Sequence, residues 1–299
     1  MQNLSTFSAT RFVKFCISLG LYAVTVFFQG LGKMFGAHPR GTCVILYYHS
    51  IPAEQRSQFA AQLDRVSRYG KVIDVTGNVQ LNPGDRCVGI TFDDAFENFI
   101  SEALPELSAR NMHSTMFVIS EALGKAFGPA GSAEKVMSVE QLRALPKSLV
   151  GIGSHTATHP LMPLLDDRQA LFELIESRKK LEQYLGQSVL TFSFPFGGFS
   201  QRLIELGREA GYKRIFTTQP VFAFANPEHF VEGRVRVDPT DWPLEFKLKL
   251  AGAYRWLPGA FALKRIITNL PLLRAYFKPS KGNPNTGNSR SAIHELTQP

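Results

Sequence analysis

An uncharged stretch, Val88-Gly89-Ile90-Thr91-Phe92, runs straight into two adjacent carboxylates, Asp93 and Asp94. β-Branched and aromatic residues without a charge read as a buried strand. Ala95 to Ile100 then opens an amphipathic helix. A buried strand that hands polar side chains to its C-terminal end just before a helix is the unit of parallel α/β folds. That end is where such folds bind ligands. Two neighbouring Asp side chains repel each other unless something cationic lies beside them. A metal ion resolves the conflict; a solvated Asp-Asp helix cap is the plainer alternative.

A second strand end adds to the first. Val150-Gly151-Ile152-Gly153-Ser154 is followed by His155-Thr156-Ala157-Thr158-His159-Pro160. Two His four apart share a face if they occupy a helical turn, although Pro160 limits that turn. A His pair with one carboxylate makes a facial ligand set with positions open to water and substrate. The alternative is two surface histidines on a loop.

Thr91-Phe92-Asp93-Asp94 followed by Ser154-His155-Thr156-x-x-His159-Pro160 resembles the polysaccharide deacetylase family, the NodB-type carbohydrate esterases. The resemblance covers about Gly41 to Trp242. It implies a distorted or incomplete (β/α) barrel and hydrolysis of an N-acetyl group with a divalent metal ion, Zn²⁺ being the expected one. Asp94, His155 and His159 match the metal ligands, and Asp93 matches the general base that takes the attacking water's proton. Phe194-Pro195-Phe196-Gly197 resembles the motif that walls the groove, where the backbone N–H at the Phe196 position helps hold the oxyanion. Asp238-Pro239-Thr240-Asp241-Trp242 resembles a further motif whose Asp partners an Arg that tunes the base. With Pro195 and Phe196, Trp242 is then a substrate-binding residue. The Arg is replaced by Ser193, which leaves Asp238 and Asp241 without the expected partner; Arg236 is the candidate substitute. Asp241-Trp242 reads equally as a helix cap before Pro243.

The family's general acid is a His on a strand near the C-terminus, but the sequence after Trp242 holds only His294. A circularly permuted branch, the poly-N-acetylglucosamine deacetylases, carries that strand first. Leu46-Tyr47-Tyr48-His49 sits in the corresponding place, so the resemblance assigns His49 as general acid. The first strand of a barrel lies beside the last, and permutation keeps the geometry.

Alternating patterns support the barrel. Strands are expected at Cys43–His49, Lys71–Val75, Ser114–Ile119, Thr191–Gly197, Arg214–Thr217 and Arg234–Val237. Helices are expected at Glu54–Tyr69, Phe96–Arg110, Val139–Leu145, Asp167–Leu185 and Gln201–Ala210. Glu121–Val136, with its Gly and Pro breaks, reads as a flexible loop near the active face.

The net charge is +8 and unevenly placed. Residues 1–40 carry Arg11, Lys14, Lys33 and Arg40 and no acid; residues 243–278 carry seven Lys or Arg against Glu245 alone. The middle is slightly acidic. Basic residues interleaved with long apolar ones suit an anionic membrane surface better than nucleic acid. Phe15–Gly32 is 18 residues without a charge, about 27 Å as a helix. It reads as a single-pass or in-plane anchor, with a buried core helix as the alternative. Cys16, Cys43 and Cys87 do not make a disulfide framework and read as small buried hydrophobes.

The expected organisation is a hydrophobic anchor and linker over 1–40, a catalytic domain over 41–242, a basic amphipathic helical extension over 243–280 and a disordered tail over 281–299. The expected activity is metal-dependent removal of N-acetyl groups from a polysaccharide or a lipid-linked amino sugar, at a bacterial envelope or inner membrane. The rivals are a catalytically silent glycan-binding protein on the same fold, and a deformylase or O-deacetylase. Metal identity, sugar, membrane side and oligomeric state are not legible.

Overall fold

The computed structural model describes residues 9–36, 39–226 and 228–262. Its centre is a parallel sheet whose strands are β1 (Thr42–Tyr48), β2 (Lys71–Val72), β3 (Arg86–Asp93), β4 (Ser114–Val118), β5 (Val150–Ser154), β6 (Thr191–Ser193), β7 (Arg214–Thr217), β8 (Val231–Gly233) and β9 (Val235–Arg236). The order is β8-β7-β6-β5-β4-β3-β1-β9, with β2 beside the start of β3. β8 pairs with β7 while β9 pairs with β1, and only Arg234 separates them. The segment 231–236 thus bridges both ends of the sheet and draws it into a nearly closed barrel. The strand expected at Arg234–Val237 is therefore two short strands broken at Arg234.

Side-chain alternation sorts each strand into an outer and an inner face. On β1 and β3, Val44, Leu46, Tyr48, Val88, Ile90 and Phe92 join the outer core under the helices. Cys43, Ile45 and Cys87 pack with Phe117 and Phe216 inside the barrel. The outer core is aromatic at its centre: Phe92 stacks on Tyr48 at 5.4 Å and meets Phe99 edge-on at 4.8 Å. Burying each such ring stabilises the fold by about 1.5–3 kcal/mol.

The helices cover that outer face. α1 is Ala9–Met34, α2 Arg56–Tyr69, α3 Leu104–Ala109, α4 Val139–Ala144, α5 Asp167–Leu185, α6 Gln201–Glu209 and α7 Pro243–Leu250. α5 starts at a capping box in which the Asp166 side chain accepts from Gln169 N and Gln169 reaches back, and it ends at the left-handed Gly186. The helix expected over Phe96–Arg110 opens late. A π-turn, Phe99–Ala103, precedes α3, whose first turn holds Pro105. Proline has no N–H for the regular ladder, so the register widens there.

The expected loop at 121–136 is stapled rather than loose. Ala126–Phe127 pairs with Glu134–Lys135 as an antiparallel hairpin, and Val136 bridges Phe96. Cys43 and Cys87 are buried as expected, but Cys16 is exposed, because it lies on the side of α1 turned away from the domain. α1 docks through Arg11, Phe15, Ser18 and Tyr22, a one-face spacing. Phe15 meets Trp242 edge-on at 5.7 Å, and Trp256 Nε1 donates to Ser18 Oγ at 2.9 Å. Residues 263–280, the later part of the expected extension, and the tail with His294 lie outside the described residues.

Candidate active site

Alternation carries the inner face to the barrel mouth. Position 49 follows 43, 45 and 47; position 93 follows 87, 89 and 91; position 155 follows 151 and 153. His49, Asp93 and His155 therefore arrive at one end of the barrel from β1, its neighbour β3, and β5, one strand further on past β4. A regular continuation would turn Asp94 the opposite way. The chain prevents this by placing Asp94 and Ala95 in the left-handed region, φ 72° and 56°. Consecutive non-glycine residues with positive φ are strained, and such strain is held where the surroundings over-determine it. Asp94 is 6% exposed and Asp93 2%.

The His pair is assembled by a tight loop, not a helical turn: Thr156 and His159 have φ 69° and 61°. Glu173 on α5 clamps this loop. Its carboxylate accepts from Ala157 N (2.8 Å), Thr158 N (2.9 Å) and Thr158 Oγ1 (2.6 Å). His155 Nδ1 donates to the Ser193 carbonyl at 2.7 Å, which fixes the tautomer and leaves Nε2 bare. Nε2 of His155 lies 3.7 Å and Nε2 of His159 3.5 Å from Asp94 Oδ1.

These three residues fit a divalent metal. Asp94 Oδ1 is buried and has no hydrogen-bond donor among the described residues. All three ligand atoms lie within 4.8 Å of one another. Ligands each about 2.1 Å from a tetrahedral ion stand about 3.4 Å apart, close to the two distances to Asp94. Burial and the neighbouring Asp93 push the Asp94 carboxyl well above its ordinary range, so the anion needs a cation beside it. Burial, with repulsion from His155, brings His159 down to about 2, and burial lowers His155 as well. Both rings are thus neutral, the form that binds metal.

Asp93 has a different partner. Arg234, 0% exposed, grips it with a two-pronged fork: Nη1 donates to Oδ1 at 2.7 Å and Nη2 to Oδ2 at 2.9 Å. Nη1 also donates to Thr91 Oγ1 (3.0 Å) and Nη2 to Ser193 Oγ (2.5 Å). The guanidinium lies over the rings of Tyr47 and Phe117 at 4.8 and 5.0 Å. Burial alone would raise the Asp93 carboxyl; the charge and hydrogen bonds of Arg234 outweigh it and hold it at about 2. Asp93 is therefore a carboxylate at neutral pH, as a general base must be.

The guanidinium beside Ser193 thus comes from Arg234 and not from Arg236, the expected substitute. Arg236 is exposed because the break at Arg234 turns the following residues along β1. Asp238 and Asp241 close a turn, with Asp241 N donating to the Asp238 carbonyl at 2.9 Å. Asp241 Oδ2 accepts from Lys249 at 2.7 Å, and Asp238 Oδ1 accepts from Thr240 N at 2.8 Å. Neither carboxylate contacts Arg234 or Asp93. Trp242 caps α7 and lies under Arg11 of α1, 4.8 Å from the ring, so it anchors α1. Pro195 is buried. Phe196, 45% exposed, stands edge-on to the His159 ring at 4.5 Å, with φ 56°.

His49 packs beside Tyr47, 5.7 Å between ring centres. Burial lowers it to about 4, against the field of Asp93. Its imidazole is neutral near pH 7 and has one bare ring nitrogen on which a proton can be taken up and handed on. Two contributors escaped sequence reasoning. Arg234 was hidden in an Arg-Val-Arg-Val run offering two equivalent candidates. Glu173 left a signal, an acid on the otherwise buried α5 face with Ala170, Leu174, Ser177 and Leu181.

A near-closed parallel barrel with buried carboxylates and histidines gathered at its C-terminal mouth has the architecture of a barrel enzyme. Comparison with known proteins narrows this. Residues 80–215 match the family model described as Polysaccharide deacetylase. The Bacillus subtilis protein YxkH, provisionally named a polysaccharide deacetylase, is 26% identical over 206 residues, 65% of this chain and 71% of that protein. The structure of IcaB from Ammonifex degensii matches with a TM-score of 0.60 at 26% identity, over 73% of this chain and 100% of that one. The Streptococcus pyogenes deacetylase PplD, solved with acetate, gives 0.59 at 20% identity over 72% and 99%, a likeness of fold alone. Residues 80–215 thus carry a polysaccharide deacetylase domain, which makes the protein a hydrolase of carbon–nitrogen bonds other than peptide bonds.

Proposed function

We propose that this protein is a metal-dependent de-N-acetylase acting at a membrane on an N-acetylated amino sugar, either in a polysaccharide or carried by a lipid. The observation that carries the reading is Asp94 Oδ1, buried without a donor and facing two bare imidazole nitrogens. Asp94, His155 and His159 would hold the ion, with Zn²⁺ the expected occupant; when bound, a divalent ion supplies a Lewis acid and makes water more acidic. Asp93, kept ionised by Arg234, takes the proton of the attacking water. His49 faces the same mouth from β1; it takes up a proton and, as the imidazolium, passes it to the departing amine nitrogen as the C–N bond breaks, returning to the neutral ring. The Phe196 backbone, on its strained turn, offers an N–H toward the developing oxyanion, while the Phe196 and Pro195 side chains form a wall of the sugar site. Residues 41–242 form the catalytic domain.

The membrane part of the proposal draws on α1. Ala9–Gly32 is long and apolar enough to cross a bilayer, and Phe27 and Phe28 are 67% and 62% exposed. The first half of the helix is docked on α7, which suits a helix lying in the membrane plane. The decisive measurement is acetate release from N-acetylglucosamine oligomers and from lipid-linked N-acetylglucosamine, by metal-stripped, Zn²⁺-restored and Asp93→Asn protein. Zn²⁺-dependent release that vanishes in Asp93→Asn is expected, with His49→Ala lowering turnover about 10²–10⁴-fold. Folded, metal-loaded protein that releases no acetate from either substrate overturns the reading.

A further inference from the structure

Beside the catalytic mouth lies a second cleft, about 460 Å³, between the first turns of α1, α7 and the ends of β7 and β9. Four cationic side chains line it: Arg11, Lys14, Arg236 and Lys249. Its three carboxylates are already engaged. Glu245 accepts from Arg11 at 2.6 Å and faces Lys249 at 3.5 Å. Asp241 is bonded to Lys249 at 2.7 Å and to Arg11 at 3.4 Å. Asp238 Oδ1 is turned onto Thr240, accepting from its N and its Oγ1.

Lys14 is left over. Among the described residues it has no carboxylate partner, only the face of Phe261 at 5.7 Å. The charges in whose field it sits are both like its own, Lys249 and Arg236. Converging cations of this kind are relieved by an anion, as the paired carboxylates of the catalytic mouth are relieved by a cation. The location gives the anion a context. Arg236 pairs in register with Tyr47 of β1, two residues before His49, and its charge is felt at the His49 ring. On the other side the cleft is bounded by α1, whose outward residues Val13 and Ile17 are 54% and 41% exposed. The cleft thus lies between β9, which pairs with the strand leading to His49, and a helix with an exposed apolar side.

We propose that this cleft binds a phosphate group attached to the sugar being deacetylated, the phosphate that joins the sugar to its lipid carrier. The proposal rests on the de-N-acetylase reading for its sugar, and its test is separable from that reading. The protein to use is full-length Asp93→Asn, metal-loaded and in detergent, so that substrate binds without turnover. N-Acetylglucosamine 1-phosphate is expected to bind about tenfold more tightly than N-acetylglucosamine, the effect of a charge-assisted contact. Lys14→Gln removes most of that difference and leaves the unphosphorylated sugar unaffected, whereas Lys179→Gln on the outside of α5 changes neither. Polyprenyl-phosphate-linked N-acetylglucosamine in the same micelles distinguishes the source: tighter binding than the soluble sugar phosphate assigns a lipid-linked substrate. Equal binding overturns the lipid assignment and leaves a soluble sugar phosphate. No preference for phosphate, or a preference that Lys14→Gln leaves intact, overturns the site. Acetate release by the wild type from unphosphorylated oligomers reports on the reaction independently: release without a phosphate preference sinks only the cleft, and a phosphate preference without release sinks only the reaction.

Discussion

At the scale of single residues, the charge count inside the barrel mouth governs the chemistry. Arg234 neutralises Asp93, the imidazoles are neutral, and Asp94 remains as one uncompensated buried carboxylate. Removing Arg234 would leave two. Arg234→Ser is therefore expected to destabilise the fold by about 3–5 kcal/mol, the usual cost of breaking a buried ion pair from one side, and to abolish measurable turnover. The head of Arg234 touches Ser193, the position where the family motif begins with Arg. The double variant Ser193→Arg/Arg234→Ser puts the same guanidinium back from the opposite strand. It is expected to recover a substantial part of both stability and acetate release, while Ser193→Arg alone crowds two cations together and unfolds earlier. Thermal melts and turnover on the three variants check this; a double variant no better than Arg234→Ser would show that Arg234 does more than supply charge at that point.

Among the elements, the loop from His155 to His159 depends on a helix it does not belong to. Three donors of the loop converge on one carboxylate of α5. Glu173→Gln keeps the shape but turns an N–H₂ toward those donors. Metal affinity is expected to fall about 10–100-fold, as for other outer supports of a ligand set, with helical content retained. Zn²⁺ titration alongside circular dichroism measures both, and unchanged affinity would release Glu173 from this role. The neighbouring turn has a similar constraint: Gly197 has φ 66°, and a Cβ there would stand 1.8 Å from Thr218 Oγ1, so only glycine fits.

For the whole molecule, the unresolved tension is between a barrel with a polar mouth and a helix with a bare apolar side. The docked face of α1 is amphipathic enough to hold it against α7, through the Arg11–Glu245 ion pair and the Ser18–Trp256 hydrogen bond. Its other face, including Val24, Phe27 and Phe28, is exposed. If that face lies on lipid, Val24→Lys/Phe27→Lys/Phe28→Lys will move the protein from the membrane to the soluble fraction without lowering turnover on a soluble oligomer. Retention in the membrane pellet at low and high salt would assign the attachment to some other part of the chain.

Much was legible in the sequence because it is local. Period-two alternation and the uncharged run before Asp93 specify a buried strand and the end at which its carboxylates emerge, and the His155–His159 spacing marks a ligand pair within one loop. Those signals depend only on neighbours along the chain, and they sufficed for the barrel class and for the gathering of Asp94, His155 and His159 at one place. What tertiary structure decided is what depends on closure. Whether Arg234 or Arg236 faces inward is set by a strand that breaks in order to pair with β7 on one side and β1 on the other. The site of His49 depends on β1 lying between β3 and β9. That Asp241 and Trp242 serve the docking of α1 depends on Arg11, more than 200 positions away. No periodicity records such partners, because the free energy that selects them comes from contacts the unfolded chain does not make.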